Sequence, residues 1–315
     1  YIEDDRFVGE CTTEQDLLFI TRDYRPERYG DNSGPAHADF VAEEVLPVIT
    51  RNTVDYIDEQ SHDSPFFACM SLTAPHIPIV PSSAYQGISD LGPYGDFCIE
   101  VDDSIGKVLD ALDRNGFAEN TLVIFTADNG CAPYIGVEDM NAQGHYPSFI
   151  YRGYKSDIYE GGHRIPFLAR WPSTISAGND STETICLTDL LATLGAILEV
   201  EIPADAGEDS YNILPALLGQ SLDTPIREAT ISTAGSGAFS IRQGRWKLEM
   251  TPSSGGYGNL SAAEAEQQNL PPIQLYDLQN DIGETTNVYA DHPEIIAGLN
   301  ALLERYQSTG RSTPG

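Results

Sequence analysis

The amino-acid sequence predicts an α/β fold with a mixed, largely parallel sheet flanked by helices, followed by a small C-terminal antiparallel sheet and a helix. Over residues 1–225, helical patterns alternate with short apolar strands, which is typical of helices packed on a central sheet. From residue 226 onward, short strands follow one another and a helix closes the chain. We therefore predict an α/β domain at 1–225 and an α+β subdomain at 226–315.

The elements of the first domain follow from hydrophobic periodicity. Helices are expected in AEEVLPVITRNTVDYIDEQ at 42–60, DDSIGKVLDALDRNG at 102–116 and TICLTDLLATLGAIL at 184–198. In the second of these, Gly116 stands where a C-terminal cap belongs. Strands are expected in PFFACMSL at 65–72, TLVIFTA at 121–127 and IPFLARWP at 165–172.

The second subdomain is predicted from short strands in REATIST at 227–233, AFSIRQGRWKLEM at 238–250 and IQLYDL at 273–278. A turn at Gln243-Gly244 indicates an antiparallel hairpin. The segment 251–272 is rich in Gly, Ser, Pro and Gln, so an exposed loop is expected there. HPEIIAGLNALLERYQ at 292–307 predicts the closing helix.

The chain is strongly acidic, with 17 Lys and Arg against 48 Asp and Glu and a formal net charge of −31. This balance excludes nucleic acid as a partner, because binding phosphates needs basic patches. The sequence shows no membrane span, since no stretch approaches the length of about 18 apolar residues that one requires. The five cysteines form no Cys-x-x-Cys pair and leave the redox compartment undecided.

An acid and an amide follow the apolar strand at 121–127. Asp128 and Asn129 are expected at its carboxyl end, where ligands gather in open α/β sheets. Their oxygens are hard donors that suit Ca²⁺ or Mg²⁺ better than zinc. The alternative is an Asp-Asn-Gly turn that merely ends the strand, and the three residues alone favour that turn.

A histidine is bracketed by prolines in APHIP at 74–78. Pro75 and Pro78 restrict the backbone around His76, which suits a positioned acid or hydrogen-bond donor. The alternative is a surface histidine in a proline turn, and the pattern alone favours it.

Positive charge is concentrated at 151–172, in YRGYKSDIYEGGHRIPFLARWP. An anionic ligand would need local cations to overcome the repulsion of so acidic a chain, and Arg152, Lys155, His163 and Arg164 supply them. The alternative is a set of solvated or ion-paired side chains. Arg164, close to the strand, is a natural structural ion-pair partner.

The order and the amino-acid sequences of these segments resemble those of the sulfatases of the arylsulfatase type, which are members of the alkaline phosphatase superfamily. The shared segments are YIEDDRFVG, APHIP, GPYGDFCIEVDDSIGKVLDAL, NTLVIFTADNG, RGYKSDIYEGGHRIPFLARWP, IRQGRWKL and LYDLQNDIGETTNV, followed by the final helix. The long glycine-centred motif at 152–172 is the most specific of them. The resemblance implies an alkaline-phosphatase-like fold and hydrolysis of a sulfate ester, in a sulfated carbohydrate or an aryl sulfate.

By this resemblance, Asp128 and Asn129 are ligands of a divalent cation, usually Ca²⁺ and alternatively Mg²⁺. The resemblance also implies that Lys155 contacts the sulfate group and that His76 lies at the same group near the leaving oxygen. The chemistry is consistent, because breaking a sulfate ester places negative charge on the sulfuryl oxygens and on the departing alcohol.

The resemblance further implies a nucleophile that this sequence lacks. Family members attack sulfur with a formylglycine made from the first residue of Cys-x-Pro-x-Arg or Ser-x-Pro-x-Arg, and none of the five cysteines fits. Ser33 begins SGPAH, in which His37 stands where the arginine is required. We therefore expect this chain to be the larger, C-terminal part of a sulfatase, inactive by itself and a weak binder of calcium.

Two other functions stay open. A phosphoesterase or phosphonate hydrolase of the same superfamily needs similar metal and lysine contacts, and a bare Thr or Ser nucleophile would indicate it. A non-catalytic descendant that binds sulfated glycans would keep His76, Asp128 and Lys155 but lack the nucleophile. The resemblance implies a secreted or periplasmic protein, and it leaves the particular substrate and the oligomeric state unknown.

Overall fold

The computed structural model of the protein describes residues 1–16, 33–257 and 260–313. The chain divides into two compact units, Tyr1–Glu119 with Tyr134–His145 and Asn120–Pro133 with Tyr146–Gly315. The predicted domain boundary between residues 225 and 226 does not coincide with this division and stays a prediction. Within the described residues, no helix combines the length and the apolar character that crossing a membrane requires.

The first unit begins with short antiparallel strand pairs, β1 (Ile2–Glu3) with β2 (Arg6–Phe7) and β3 (Thr13–Asp16) with β4 (Ser33–Ala36). Its helical elements are a 3₁₀ turn at Ala42–Glu44 and helices α1 (Val45–Asp58), α2 (Pro93–Arg114) and α3 (Val137–Ala142). Helices α1 and α2 pack against each other. Their buried apolar residues include Leu46 and Ile57 on α1 and Phe97 and Leu112 on α2. Helix α1 lies within 42–60 and confirms the first predicted helix.

Helix α2 begins earlier in the chain than predicted. Pro93 opens it, and proline fits the first turn because the amide there needs no helical partner. The carboxylate of Asp96 accepts hydrogen bonds from the backbone amides of Gly87 (2.8 Å) and Ser89 (2.7 Å), which fixes the chain ahead of the helix. At the other end Gly116 has a φ of 73°, which confirms the predicted cap.

A 3₁₀ turn at Ala118–Asn120 leads into strand β5 (Val123–Thr126), which pairs with strand β6 (Phe167–Arg170). These strands confirm the predictions at 121–127 and 165–172. The pair is antiparallel, as are all the other strand pairs among the described residues. The structure therefore shows a mixed α/β fold, and the largely parallel character of its sheet stays a prediction.

The strand predicted at 65–72 is wrong. Among the described residues, no strand pairs with this segment, and Phe67 is 75% exposed. A strand is stabilised by backbone hydrogen bonds to a neighbour, and an apolar pattern cannot supply that neighbour.

The second unit also contains the predicted small sheet, which consists of β7 (Thr230–Thr233), β8 (Phe239–Gln243), β9 (Trp246–Glu249) and β10 (Gln274–Asp277) in the antiparallel order β10-β9-β8-β7. Its helices are α4 (Glu160–His163), α5 (Leu190–Ile197) after a 3₁₀ turn at Leu187–Asp189, α6 (Leu214–Leu217), α7 (Ala262–Gln267) and α8 (Pro293–Thr309). Apolar side chains of the sheet form a buried cluster with those of α8, namely Ile241, Leu248, Leu275, Leu299, Leu302 and Leu303. The predicted C-terminal sheet and closing helix are confirmed.

The prediction of an exposed loop at 251–272 is wrong, because its first part is buried and helix α7 (Ala262–Gln267) lies in its second part. Thr251, Ser253 and Ser254 are buried, and the side-chain amide of Gln274 donates hydrogen bonds to the carbonyl oxygens of Thr251 (2.9 Å) and Ser253 (3.0 Å). Gln274 thereby supplies the backbone partners that a buried loop needs. Residues 258 and 259 of this segment lie outside the described residues.

Candidate active site

The chain that leaves strand β5 carries Asp128 and Asn129. Asp128 is exposed, whereas Asn129 is half-buried and donates a hydrogen bond from Nδ2 to the carbonyl oxygen of Gly130 over 3.1 Å. Because this bond uses the nitrogen of the side-chain amide, the Oδ1 atom of Asn129 remains as an acceptor. The strand end therefore offers a carboxylate and an amide oxygen on adjacent residues.

Gly130 lies very close to the glycines of helix α4. Its backbone amide donates a hydrogen bond to the carbonyl oxygen of Gly162 over 3.0 Å. A Cβ atom at position 130 would lie 1.8 Å from the carbonyl oxygen of Gly161, so only glycine permits the contact. These glycines bring the loop after β5 against the segment that follows Lys155.

Lys155 is held by backbone hydrogen bonds on both sides. Its amide donates to the carbonyl oxygen of Cys131 over 2.8 Å. The next residue, Ser156, adopts the left-handed conformation with a φ of 74°, and its carbonyl oxygen accepts a hydrogen bond from the amide of Gly235 over 2.8 Å. Since Lys155 is also half-buried, the position of its backbone is closely restricted.

The structure thus brings together the loops that carry three of the four residues predicted from the sequence. Asp128 and Asn129 lie in one loop of the second unit, and Lys155 lies in the other. The two loops are joined by the Lys155–Cys131 and Gly130–Gly162 backbone hydrogen bonds.

His76 belongs to the first unit. It is exposed, its backbone amide donates to the carbonyl oxygen of Thr73 over 3.1 Å, and its Nδ1 atom lies 2.8 Å from the carbonyl oxygen of Ile77. If the imidazole is neutral, this contact places the proton on Nδ1 and leaves Nε2 as an acceptor. A shared site for His76 and the two loops of the second unit stays a prediction.

The other cations near Lys155 are ion-paired or hydrogen-bonded. Arg164 lies 3.2 Å from Glu160, and its guanidinium group stacks 4.6 Å from the ring centroid of Tyr151. Nε2 of His163 lies 3.4 Å from the same Glu160 carboxylate. The predicted structural ion pair of Arg164 is confirmed, and its partner is a buried glutamate of the glycine-centred motif.

A buried ionic cluster beneath the lysine loop was not predicted from the sequence. Lys247 on strand β9 lies 2.8 Å from Glu284, 3.1 Å from Glu160 and 3.4 Å from Glu249. All four side chains are at most 3% exposed. The one available signal was a lysine between apolar residues in RWKLEM, in a chain with few cations.

The charges in this cluster shift the pKa values of its members in opposite directions. Burial alone would raise the pKa of Glu160, but the hydrogen bond with His163 and the positive charge of Lys247 hold it well below its usual range. Burial raises the pKa of Glu249 well above its ordinary value, and the neighbouring charge of Glu284 adds to that rise. Neither carboxyl oxygen of Glu249 has a hydrogen-bond partner among the described residues. Glu249 therefore keeps its proton to a higher pH than an exposed glutamate does.

The side-chain oxygens at the strand end are ligands of the right kind for a hard cation, but they are too few to hold one alone. Asp128 and Asn129 offer oxygen ligands, which Ca²⁺ and Mg²⁺ prefer. Within residues 1–16, 33–257 and 260–313, no group of three or more His, Cys, Asp and Glu side chains is arranged to hold a metal ion. A cation held here would take most of its ligands from water or from other groups.

Comparison with known proteins shows the family of the chain. The sequence model of a family described as Sulfatase matches residues 19–200, which is more than half of the chain. An N-acetylgalactosamine-6-O-sulfatase of Bacteroides thetaiotaomicron is 34% identical over 280 residues, which are 88% of this chain and 54% of that protein. The human N-acetylgalactosamine-6-sulfatase is 30% identical over 276 residues, with 82% of this chain and 52% of that protein covered.

A solved structure is also similar to this chain. It was determined in work on the metabolism of multiple glycosaminoglycans by Bacteroides thetaiotaomicron, and it superposes with a TM-score of 0.74 at 33% identity. The superposition covers 85% of this chain and 55% of that one. The chain spans about half the length of the curated relatives it matches. On the family match and these likenesses, the chain belongs to the sulfatase family.

Proposed function

We propose that the protein containing this chain hydrolyses sulfate esters of a sulfated glycan. Membership of the sulfatase family supports the reaction, and the relatives named for N-acetylgalactosamine 6-sulfate support the substrate class. The structural observation that carries the proposal is the 2.8 Å hydrogen bond from the amide of Lys155 to the carbonyl oxygen of Cys131. It ties the lysine loop to the strand end that bears Asp128 and Asn129.

Lys155 and His76 have complementary roles in this proposal. The ammonium group of Lys155 contacts the sulfuryl oxygens, on which negative charge accumulates while the ester bond breaks. In its imidazolium form, His76 donates a hydrogen bond or a proton from Nε2 to the leaving oxygen, so that the sugar departs as an alcohol. One preorganised donor of this kind typically lowers the barrier by about 3 kcal/mol.

Asp128 and Asn129 are the proposed ligands of a divalent cation, Ca²⁺ or Mg²⁺. When bound, the cation neutralises charge on the sulfuryl oxygens. Calcium takes about six to eight oxygen ligands, so these two residues fill only part of its coordination shell. We therefore expect the 315-residue chain by itself to bind calcium weakly.

The nucleophile is proposed to lie outside these 315 residues. No Cys-x-Pro-x-Arg or Ser-x-Pro-x-Arg motif occurs in the chain. In the resulting proposal, the chain is part of a longer protein that supplies a formylglycine, and the chain alone hydrolyses no sulfate ester. Secretion or export to the periplasm fits this substrate class, because a charged polymer does not cross a bilayer unaided.

A second candidate function is binding of sulfated glycans without cleavage. The observation that favours it is the same lack of a nucleophile motif in the 315 residues. In that case the longer protein would bind the glycan through Lys155 and release no sulfate.

One experiment separates these functions. The gene is sequenced upstream of the codon for Tyr1, and the longer protein is expressed and assayed with 6-O-sulfated N-acetylgalactosamine, other sulfated saccharides, an aryl sulfate and an aryl phosphate. A formylglycine motif with release of sulfate supports hydrolysis. Preferential cleavage of the phosphate indicates a phosphoesterase, and saturable binding without product indicates the non-catalytic protein.

A further inference from the structure

Lys247 is a buried charge, and a stabilising effect alone does not explain why a charge lies at this position. Its side chain is 1% exposed and is surrounded by the carboxyl groups of Glu160, Glu249 and Glu284. Replacing a buried ion pair by apolar residues of similar volume is often neutral or stabilising. A role in fixing a particular geometry is therefore the physical alternative.

The cluster is attached to both ends of the lysine loop. After Lys155, the backbone amide of Glu160 donates a hydrogen bond to the carboxylate of Glu284 over 2.7 Å. Before Lys155, the guanidinium group of Arg152 donates to the carbonyl oxygen of Glu284 over 2.6 Å. Glu284 thus holds the segment 152–160 at two points.

Lys247 keeps these carboxylates close together. Its ammonium lies 2.8 Å from Glu284 and 3.1 Å from Glu160, so it offsets their mutual repulsion. Glu284 has a positive φ of 50°, which is unfavourable for a residue with a side chain and persists only where its surroundings enforce it. Without the ammonium, the carboxylates would separate and the segment between them would loosen.

We propose that Lys247 is a positioning residue for Lys155, acting through Glu284 and Glu160. This inference rests on the proposed function of Lys155 in binding the sulfate group. Lys247 touches no reacting atom in this account; it fixes the loop from which Lys155 extends.

Amide hydrogen exchange on the 315-residue chain tests the positioning without any assay of activity. Lys247→Met should speed exchange about tenfold or more at the amides of Lys155 and Gly161, whose acceptors are Cys131 and Arg152. The amides of helix α2 should be unaffected. Unchanged exchange at Lys155 and Gly161, or uniform acceleration over the whole second unit, would overturn the proposal.

Two further variants keep the test decisive. Lys107→Met removes a lysine that pairs with Asp103 on the surface of α2 and should leave the loop unchanged. Because Lys247→Met removes a buried charge, it could fail to fold. In that case Arg152→Ala, at an exposed residue, removes the other tie to Glu284 and should produce the same local acceleration. Protection equal to wild type in Arg152→Ala would contradict the proposal.

Kinetics of the longer protein distinguish positioning from general stability. Lys247→Met should lower kcat/KM by about 10-fold to 100-fold, as expected when a catalytic group is displaced by about 1 Å. The double variant with Lys155→Ala should lose no more than Lys155→Ala alone, because Lys247 acts only through Lys155. Additive losses would contradict the proposal. If local exchange accelerates but wild type shows no sulfatase activity, the proposed function fails and the positioning of the loop stands.

Discussion

The backbone amide of Lys155 donates a hydrogen bond to the carbonyl oxygen of Cys131 across 2.8 Å. This bond joins the loop of the candidate sulfate-binding lysine to the strand end that carries the candidate metal ligands. It uses main-chain atoms only, so a substitution of the lysine side chain leaves it intact. The chemistry of the site can therefore be altered separately from its architecture.

The contact of Gly130 with Gly161 predicts a loss of stability. A Cβ atom at position 130 would lie 1.8 Å from the Gly161 carbonyl oxygen, so Gly130→Ala should lower the free energy of unfolding by about 1 to 3 kcal/mol. Gly106→Ala is the matched control. Gly106 lies on helix α2, and a Cβ atom there would have no neighbour within 4 Å apart from the backbone of the helix itself. The Gly106→Ala substitution should therefore stabilise the protein by about 0.5 to 1 kcal/mol. Urea unfolding of both variants measures this, and equal stabilities would refute the close approach.

The raised pKa of Glu249 predicts how stability changes with pH. A carboxyl group with a higher pKa in the folded state binds its proton more tightly there than in the unfolded chain. Its contribution to the free energy of unfolding therefore falls as the pH rises above the pKa in the unfolded chain, which is about 4.3. The amide side chain in Glu249→Gln cannot ionise, so this contribution to stability does not fall with pH in the variant. Its free energy of unfolding, relative to wild type, should rise as the pH increases from about 5 to about 8.

Urea unfolding at several pH values checks the prediction for Glu249. Exposed Glu266→Gln serves as the control, since it changes the same chemical group outside the buried cluster. A stability difference between wild type and Glu249→Gln that stays constant with pH would contradict a raised pKa of Glu249 in the folded state.

The role proposed for His76 predicts a dependence on the leaving group. In the longer protein, His76→Ala should lower kcat by about 10²-fold to 10⁴-fold with a sugar sulfate, because the sugar alcohol needs a proton to depart. The loss should be smaller with a nitrophenyl sulfate, whose leaving group is stable as an anion. His62→Ala, which removes a histidine paired with the carbonyl oxygen of Asn115, is the control. Equal losses with both substrates would argue against proton donation.

The metal ligands predict a calcium dependence. In the longer protein, Asp128→Ala should weaken calcium binding roughly tenfold or more, since affinity depends on the number of charged ligands. Asp102→Ala, at an exposed residue on helix α2, should not change it. Isothermal titration with CaCl₂ measures both. Equal affinities in wild type and Asp128→Ala would remove Asp128 from the proposed site.

Much of the fold was predictable because its signals are local. The apolar strands β5 and β6 and the periodic helix α8 appear where the pattern places them. The failures concern partners that lie far away in the chain. Segment 65–72 has a strand pattern but no strand paired with it in the described residues, and Ser253 is buried in a polar loop because Gln274 binds its carbonyl oxygen.

The candidate site shows the same limit. Lys155 stood out because cations are rare in the chain, and Asp128 and Asn129 because a strand ends before them. The pairing of Lys247 with Glu160 leaves no local pattern, since the two residues are distant in sequence and meet only after folding. The sequence could therefore indicate candidate side chains for the chemistry, but not the buried charges that lie near them.

The most direct measurement of the central claim is the rate of sulfate release from 6-O-sulfated N-acetylgalactosamine by the longer protein and by its Lys155→Ala variant, with Lys107→Ala as the control. Loss of one preorganised cation should lower kcat/KM by about 10²-fold to 10³-fold while the unfolding midpoint stays close to that of wild type. If Lys155→Ala folds normally and releases sulfate at the wild-type rate, the lysine loop is not part of a sulfatase active site.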